Sequence, residues 1–403
     1  MHALQFELSI PRYLLNKTLC HLAPHHFFPR VSLLHERRVP VPSLPNAEWV
    51  RVAIEACGIC GSDLNALRGH EAYSMEPYAS FPAVMGHEIV GRVVACGDAV
   101  PEVPLGTRVA VENILPCAPR GMTPPCAACA RGDYALCEHF ACGALPPGVC
   151  LGFTRGLGGG FGKYVVAHRS QLFPLPDDVP LDAAVLIDSL ASALQPVAHH
   201  RPAPGATVLV FGAGIIGLHV VQALRATGFT GQLVVVARHR FQGMLAKRFG
   251  ASAIVLRNII HYLAELTGAT VRRPTLGPPV LDGGVDLVFD CIGSSHSIDT
   301  SLRITRKRGT VVVVGTAGAL SRVDASPLWF KEITLTGSAL CSTAEIGGLR
   351  QRTYQHVIDM LSDGRLQSEG LVTHWFPLHE YRKAFATALD KRRHQSLKVA
   401  FRV

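Results

Sequence analysis

Cys126 and Cys129 form a CxxC turn, and Cys137 follows after seven intervening residues. Thiols at that spacing suit zinc, which takes tetrahedral sulfur ligands, and a CxxC turn supplies two of them from one loop. Cys117, with eight residues between it and Cys126, is the expected fourth ligand; Cys142, with four residues between it and Cys137, is the competing choice that spacing leaves open. A second group lies apart. Cys60 sits in Gly58-Ile59-Cys60-Gly61-Ser62-Asp63, and His87 sits in Gly86-His87-Glu88. A lone Cys or His is usually structural, but this pair has acid and hydroxyl groups beside it. The chain has 12 cysteines and no recognisable secretory leader, so a reducing compartment is expected, where clustered thiols bind metal more often than they form disulfides.

Gly212-Ala213-Gly214-Ile215-Ile216-Gly217 is a GxGxxG loop. It follows an apolar run, Thr207–Phe211, that reads as a buried strand, and it opens a helical pattern over Ile215–Ala226. In that setting the first glycine permits the tight turn and the second admits a pyrophosphate against the backbone. The third lets helix and strand pack closely, and the helix start offers free N–H groups to phosphate. A dinucleotide is the expected ligand. An NAD site usually places an acid about 20 residues further on. Here Ala237 stands there, followed by Arg238, His239 and Arg240. Without a carboxylate to repel a 2′-phosphate, and with arginines able to pair with one, NADP(H) is expected over NAD(H).

These residues need a scaffold, and the chain is long enough for two domains. It has 403 residues, 48% of them apolar and 17% charged, which excludes disordered and fibrous classes. The net charge of +9 is spread over short clusters such as Lys391-Arg392-Arg393-His394, with no interleaved aromatics, so no nucleic-acid platform is expected. No apolar run reaches membrane-spanning length. Residues 1–48 read as irregular, because six prolines interrupt them. Alternation over Trp49–Ala56 marks a strand, and further β-like runs at Ile89–Ala95 and Arg108–Glu112 predict a β-rich, partly barrel-like domain. Residues 116–162 read as loop. From about Pro204, strands alternate with helices at Gln232–Val236, Phe241–Phe249, Val285–Asp290, Ile298–Thr305 and Gly309–Gly315. That pattern predicts a parallel, doubly wound α/β sheet. Mixed structure returns in the tail, with helices near Tyr354–Ser362 and Tyr381–Asp390.

Together GICGSD at 58–63, GHEIVG at 86–91, the cysteine lobe, GAGIIG at 212–217, Lys331–Ser338 and Leu371–Pro377 resemble the zinc-dependent medium-chain alcohol dehydrogenases, near their polyol and threonine dehydrogenase branch. The resemblance covers nearly all of 48–403. It implies a GroES-like catalytic domain over 1–195 with a structural zinc lobe at about 116–142. A Rossmann domain over 196–335 and a return to the catalytic domain over 336–403 would follow, with the active site in the cleft. It implies Cys60 and His87 as catalytic zinc ligands and Glu88 beside the metal. Asp188 of Asp188-Ser189-Leu190-Ala191 would be the third ligand, where relatives carry the longer Glu. Asp63 would orient His87, and Ser192 would lie against the nicotinamide. Asn65 stands where relatives often have a relay histidine. Proton exit would therefore begin at Ser62, and hydride would pass between an alcohol or polyol and the nicotinamide. A cytoplasmic homodimer or homotetramer is expected. The alternative is a zinc- and nucleotide-binding protein without turnover. Tyr73, Phe81 and Trp329 are the substrate-pocket candidates.

Overall fold

The computed structural model describes residues 1–403 apart from 71 and 317. Two sheets dominate it. The first has six strands in the order Ala253–Val255, Gln232–Val236, Thr207–Phe211, Val285–Asp290, Thr305–Val313 and Thr334–Gly337, all paired in parallel. Val208, Leu209 and Val210 have no exposed surface, because helices cover both faces. In sequence order this is 3-2-1-4-5-6, which reverses direction between Thr207–Phe211 and Val285–Asp290. Ligands of such sheets bind outside the carboxyl ends of the strands at that reversal. Gly212 follows one of these strands and Cys291 the other.

The second sheet has seven strands and is largely antiparallel. Val372–Pro377 pairs with Lys398–Arg402, which pairs with Trp49–Gly58; Glu88–Cys96, Arg108–Val111 and Leu172–Pro174 follow. Tyr164–His168 also pairs with Trp49–Gly58. Lys398–Arg402 brings the chain's tail back beside the strand that leads into Cys60. Between the sheets lies the helix Ile187–His199, buried along most of its length and packed on the helix Ile215–Ala226.

Residues 1–48 are more regular than expected. His2–Phe6 pairs with Leu34–Arg38 and with Ala83–Val84, and Ile10–Leu22 is a helix. Pro11 lies in the first turn of that helix, where the missing N–H has no intrahelical partner to lose, so it starts the helix instead of breaking it. Tyr13 donates to Gly69 O at 3.1 Å and Asn16 to Leu67 O, bracing the helix Gly61–Arg68 from outside.

Candidate active site

The strand Trp49–Gly58 leads to Cys60, the residue immediately before the helix Gly61–Arg68. Asp63, with no exposed surface, accepts from the Cys60 backbone N–H at 2.9 Å. Its other oxygen lies 3.5 Å from His87 Nδ1, an ion-pair distance. One buried carboxylate therefore holds the backbone at Cys60 and faces the His87 imidazole. His87 leads into the strand Glu88–Cys96 and turns Nε2 towards Ser62 Oγ, 3.4 Å away. Burial opposes charge on His87, but the Asp63 and Cys60 anions outweigh it and raise its pKa well above the usual imidazole value.

Glu88 is held off by the tail. Lys398 Nζ donates to both of its carboxylate oxygens at 2.6 Å, and both side chains are 1% exposed. Gly58 makes the space, since a Cβ there would overlap the Glu88 carboxylate. Asp188 occupies the first turn of Ile187–His199 and is 8% exposed. Burial raises its pKa to about 6, opposed by the charge of His87 and by a hydrogen bond from Tyr354. Asn113 Nδ2 donates to Asp188 Oδ1 at 2.7 Å, and Tyr354 OH donates to the same oxygen at 2.6 Å.

Cys117, Cys126, Cys129 and Cys137 form the one compact cluster of potential metal ligands among the described residues, with their sulfurs all within 4.8 Å of one another. Three amides already face these sulfurs: Cys126 N on Cys117, Cys129 N on Cys126 and His139 N on Cys137, at 3.3–3.5 Å. Cys142 is exposed and outside the cluster. Four buried thiols, three of them served by amide donors, are the donor set that a closed structural zinc site requires. Cys60, His87 and Asp188 do not reach that compactness as they stand. Cys60 and His87 adjoin, while Asp188 Oδ1 is turned to its own hydrogen-bond donors.

In the nucleotide loop, Gly212 has φ +105°, and a Cβ on Gly217 would collide with the Gly212 carbonyl. A Cβ on Gly214 would meet nothing within 4 Å, which leaves the backbone open to a ligand. Ile215 and Ile216 start the helix, and Ser192 is half-buried on Ile187–His199. Arg238 and Arg240 are exposed, and neither has an ion-pair partner among the described residues. Lys391 and Arg392 of the tail add positive charge close to His239.

The alcohol dehydrogenase GroES-like domain matches residues 46–177, and the zinc-binding dehydrogenase family matches residues 216–363. Sorbitol dehydrogenase 2 of Saccharomyces cerevisiae is 30% identical over 351 residues, 86% of this chain and 88% of that protein. The chain belongs to the zinc-dependent medium-chain alcohol dehydrogenases. As such it is an enzyme of zinc-dependent, nicotinamide-linked alcohol oxidoreduction. The crystal structure of an alcohol dehydrogenase (rspB) from Escherichia coli CFT073, complexed with NADH, superposes with a TM-score of 0.73 at 25% identity, covering 100% of this chain and 99% of that one. A zinc-binding dehydrogenase from Sinorhizobium meliloti 1021, bound to NADP, gives 0.71 at 25% identity, covering 92% and 96%. Neighbours of this dehydrogenase thus hold either nicotinamide dinucleotide.

Sequence reasoning missed four residues of the site: Asn113, Phe153, Tyr354 and Lys398. Phe153 lies 5.8 Å from the His87 ring, in a loop with no periodicity to flag it. The three pocket candidates sit elsewhere. Phe81 packs on Phe6 at 4.8 Å, Tyr73 is exposed against Lys17, and Trp329 is exposed beside Phe330. Asn65 donates to Thr316 Oγ1 at 3.1 Å, and an amide cannot relay a proton.

Proposed function

We propose that Cys60, His87 and Asp188 hold a catalytic zinc facing the nicotinamide of NADP(H), and that the substrate is a polyol or related secondary alcohol. A zinc bound there supplies Lewis acidity that makes an alcohol proton easier to remove. Cys60 would contribute a thiolate, His87 an imidazole that faces Asp63 and gives up its extra proton when the metal binds, and Asp188 a carboxylate with Oδ2 facing no protein donor. Ser62, beside His87 Nε2, accepts the hydroxyl proton and passes it to water. Glu88 stays beside the metal under the grip of Lys398. Gly212, Gly214 and Gly217 with Ile215 and Ile216 seat the pyrophosphate, Ser192 faces the nicotinamide, and Arg238 and Arg240 receive the 2′-phosphate. Cys117, Cys126, Cys129 and Cys137 hold a structural zinc.

The observation that carries this reading is Asp63, one buried carboxylate binding the Cys60 amide and facing His87. The polyol assignment is supported by the sorbitol dehydrogenase relative. The same reading divides the chain into 1–195, 196–335 and 336–403, and takes the enzyme as a cytoplasmic dimer or tetramer of soluble protein. No described helix is long and apolar enough to cross a membrane.

The test is formation of reduced nicotinamide by the zinc-loaded enzyme across polyols, simple alcohols and amino-alcohols, with both cofactors. Polyols with NADP+ should give the highest kcat/KM. Arg238→Ala should lower kcat/KM for NADP+ by about 10–100-fold, the worth of a charge-assisted pair, and leave that for NAD+ nearly unchanged. A wild-type preference for NAD+ would overturn the cofactor assignment, and absence of turnover on every polyol would overturn the substrate class.

A further inference from the structure

We infer that Asn113 and Tyr354 are positioning residues that aim the Asp188 carboxylate at the catalytic metal, an inference that rests on the ligand role given to Asp188 above. Both hydrogen bonds to Asp188 end on one oxygen, Oδ1, at 2.7 Å from Asn113 and 2.6 Å from Tyr354. Two donors saturate that oxygen and fix the plane of the carboxylate. Oδ2 has no protein hydrogen-bond partner among the described residues, so one lone-pair face is left for a cation. The donors are themselves rigid: Asn113 is 2% exposed and Tyr354 1%. The Asn113 amide also faces the His87 carbonyl at 3.4 Å, so one side chain spans the segments that carry two of the ligands.

The spacing of the two donors has its own anchor. Glu112, immediately before Asn113 and fully buried, pairs with the half-buried Arg352, two residues before Tyr354. The Arg352 guanidinium lies 4.0 Å from the centre of the Tyr134 ring, inside the cysteine lobe. The end of Arg108–Val111, the hairpin of Thr343–Ile346 and Leu349–Arg352, and the cysteine lobe are thereby linked, and Asn113 and Tyr354 both reach Asp188 from beside that link. This arrangement answers the shortness of Asp188. An Asp carboxylate has one torsion fewer to search with than a Glu would, and external donors set its direction instead. Partners of metal-ligating groups typically change metal affinity by about 10–100-fold when removed.

The test measures the affinity of the catalytic site for Zn2+ by chelator competition, and the visible absorption of the Co2+-loaded enzyme, in Tyr354→Phe, Asn113→Ala and Asp188→Asn. Tyr354→Phe keeps the ring that packs 5.1 Å from Phe173 and removes only the hydroxyl, so the fold is retained. Tyr354→Phe and Asn113→Ala should each weaken Zn2+ at the catalytic site by about 10–100-fold and shift the Co2+ bands, with the four-cysteine zinc retained. Unchanged affinity and unchanged bands in both variants, alongside weakened binding in Asp188→Asn, would overturn the positioning role alone. Unchanged metal binding in Asp188→Asn would overturn the ligand reading beneath it.

Discussion

Replacing Lys398 by Met keeps most of its volume and removes its charge, which isolates the buried ion pair with Glu88. In the native chain Lys398 Nζ meets both Glu88 oxygens at 2.6 Å and faces the Ile59 carbonyl at 3.4 Å. Each side chain is 1% exposed. Lys398→Met therefore leaves a carboxylate buried without its cation, and Glu88→Gln leaves an ammonium buried without its anion. Breaking a buried pair from one side costs about 3–5 kcal/mol, whereas replacing both partners by neutral groups is often close to neutral. Each single variant should lose about 3–5 kcal/mol, and the double variant should recover most of it, with a coupling of at least about 3 kcal/mol. Equilibrium urea denaturation of the four proteins, at fixed free zinc so that metal linkage is constant, measures the cycle. Single losses below about 1 kcal/mol that simply add in the double variant would refute the reasoning, because the pair would then behave as a solvated one.

Cys117→Ser should release the structural zinc and lower thermal stability, while Cys142→Ser should do neither; metal analysis of the two variants decides between them. His219 is fully buried, and burial, with help from the Lys398 charge, pushes its pKa down to about 3 from 6.5. The folded chain therefore holds this imidazole neutral while the unfolded chain protonates it below pH 6.5. The resulting stability is present above pH 6.5 and is lost as pH falls towards 3, by about 2 kcal/mol at pH 5. His219→Gln should flatten the acid limb of the stability profile, and a superimposable profile would refute that assignment.

The parts of this enzyme that sequence made legible are those whose chemistry is local. In the Gly212–Gly217 turn, the φ of Gly212 and the close packing at Gly217 require glycine, and Gly214 leaves the backbone open, so the roles of the three glycines are legible in the sequence. Thr207–Phe211, Ile215–Ala226, Gln232–Val236 and Val285–Asp290 have the bounds read from periodicity, because a sheet covered on both faces needs unbroken apolar runs. The choice between Cys117 and Cys142 was not legible, since it depends on how the loop from 118 to 125 folds back. The helix Ile10–Leu22 is hidden in the sequence because Pro11, a breaker inside a helix, occupies its first turn. The supports of the site were hidden by distance along the chain. Asn113 lies 75 residues from Asp188, Tyr354 lies 166 from it, and Lys398 lies 310 from Glu88. No spacing rule links such residues; only the return of the tail beside Trp49–Gly58 and the packing of Ile187–His199 bring them together.

The central claim is that one zinc, separate from the four-cysteine zinc, sits at Cys60 and His87 and carries the dehydrogenase activity. Zinc content per chain, measured together with substrate-dependent nicotinamide reduction in wild type and Cys60→Ser, tests it most directly. The wild type should hold two zinc ions per chain and turn over, and the variant should hold one zinc and show no turnover but intact dinucleotide binding. Turnover that survives in a Cys60→Ser protein lacking the second zinc would contradict it.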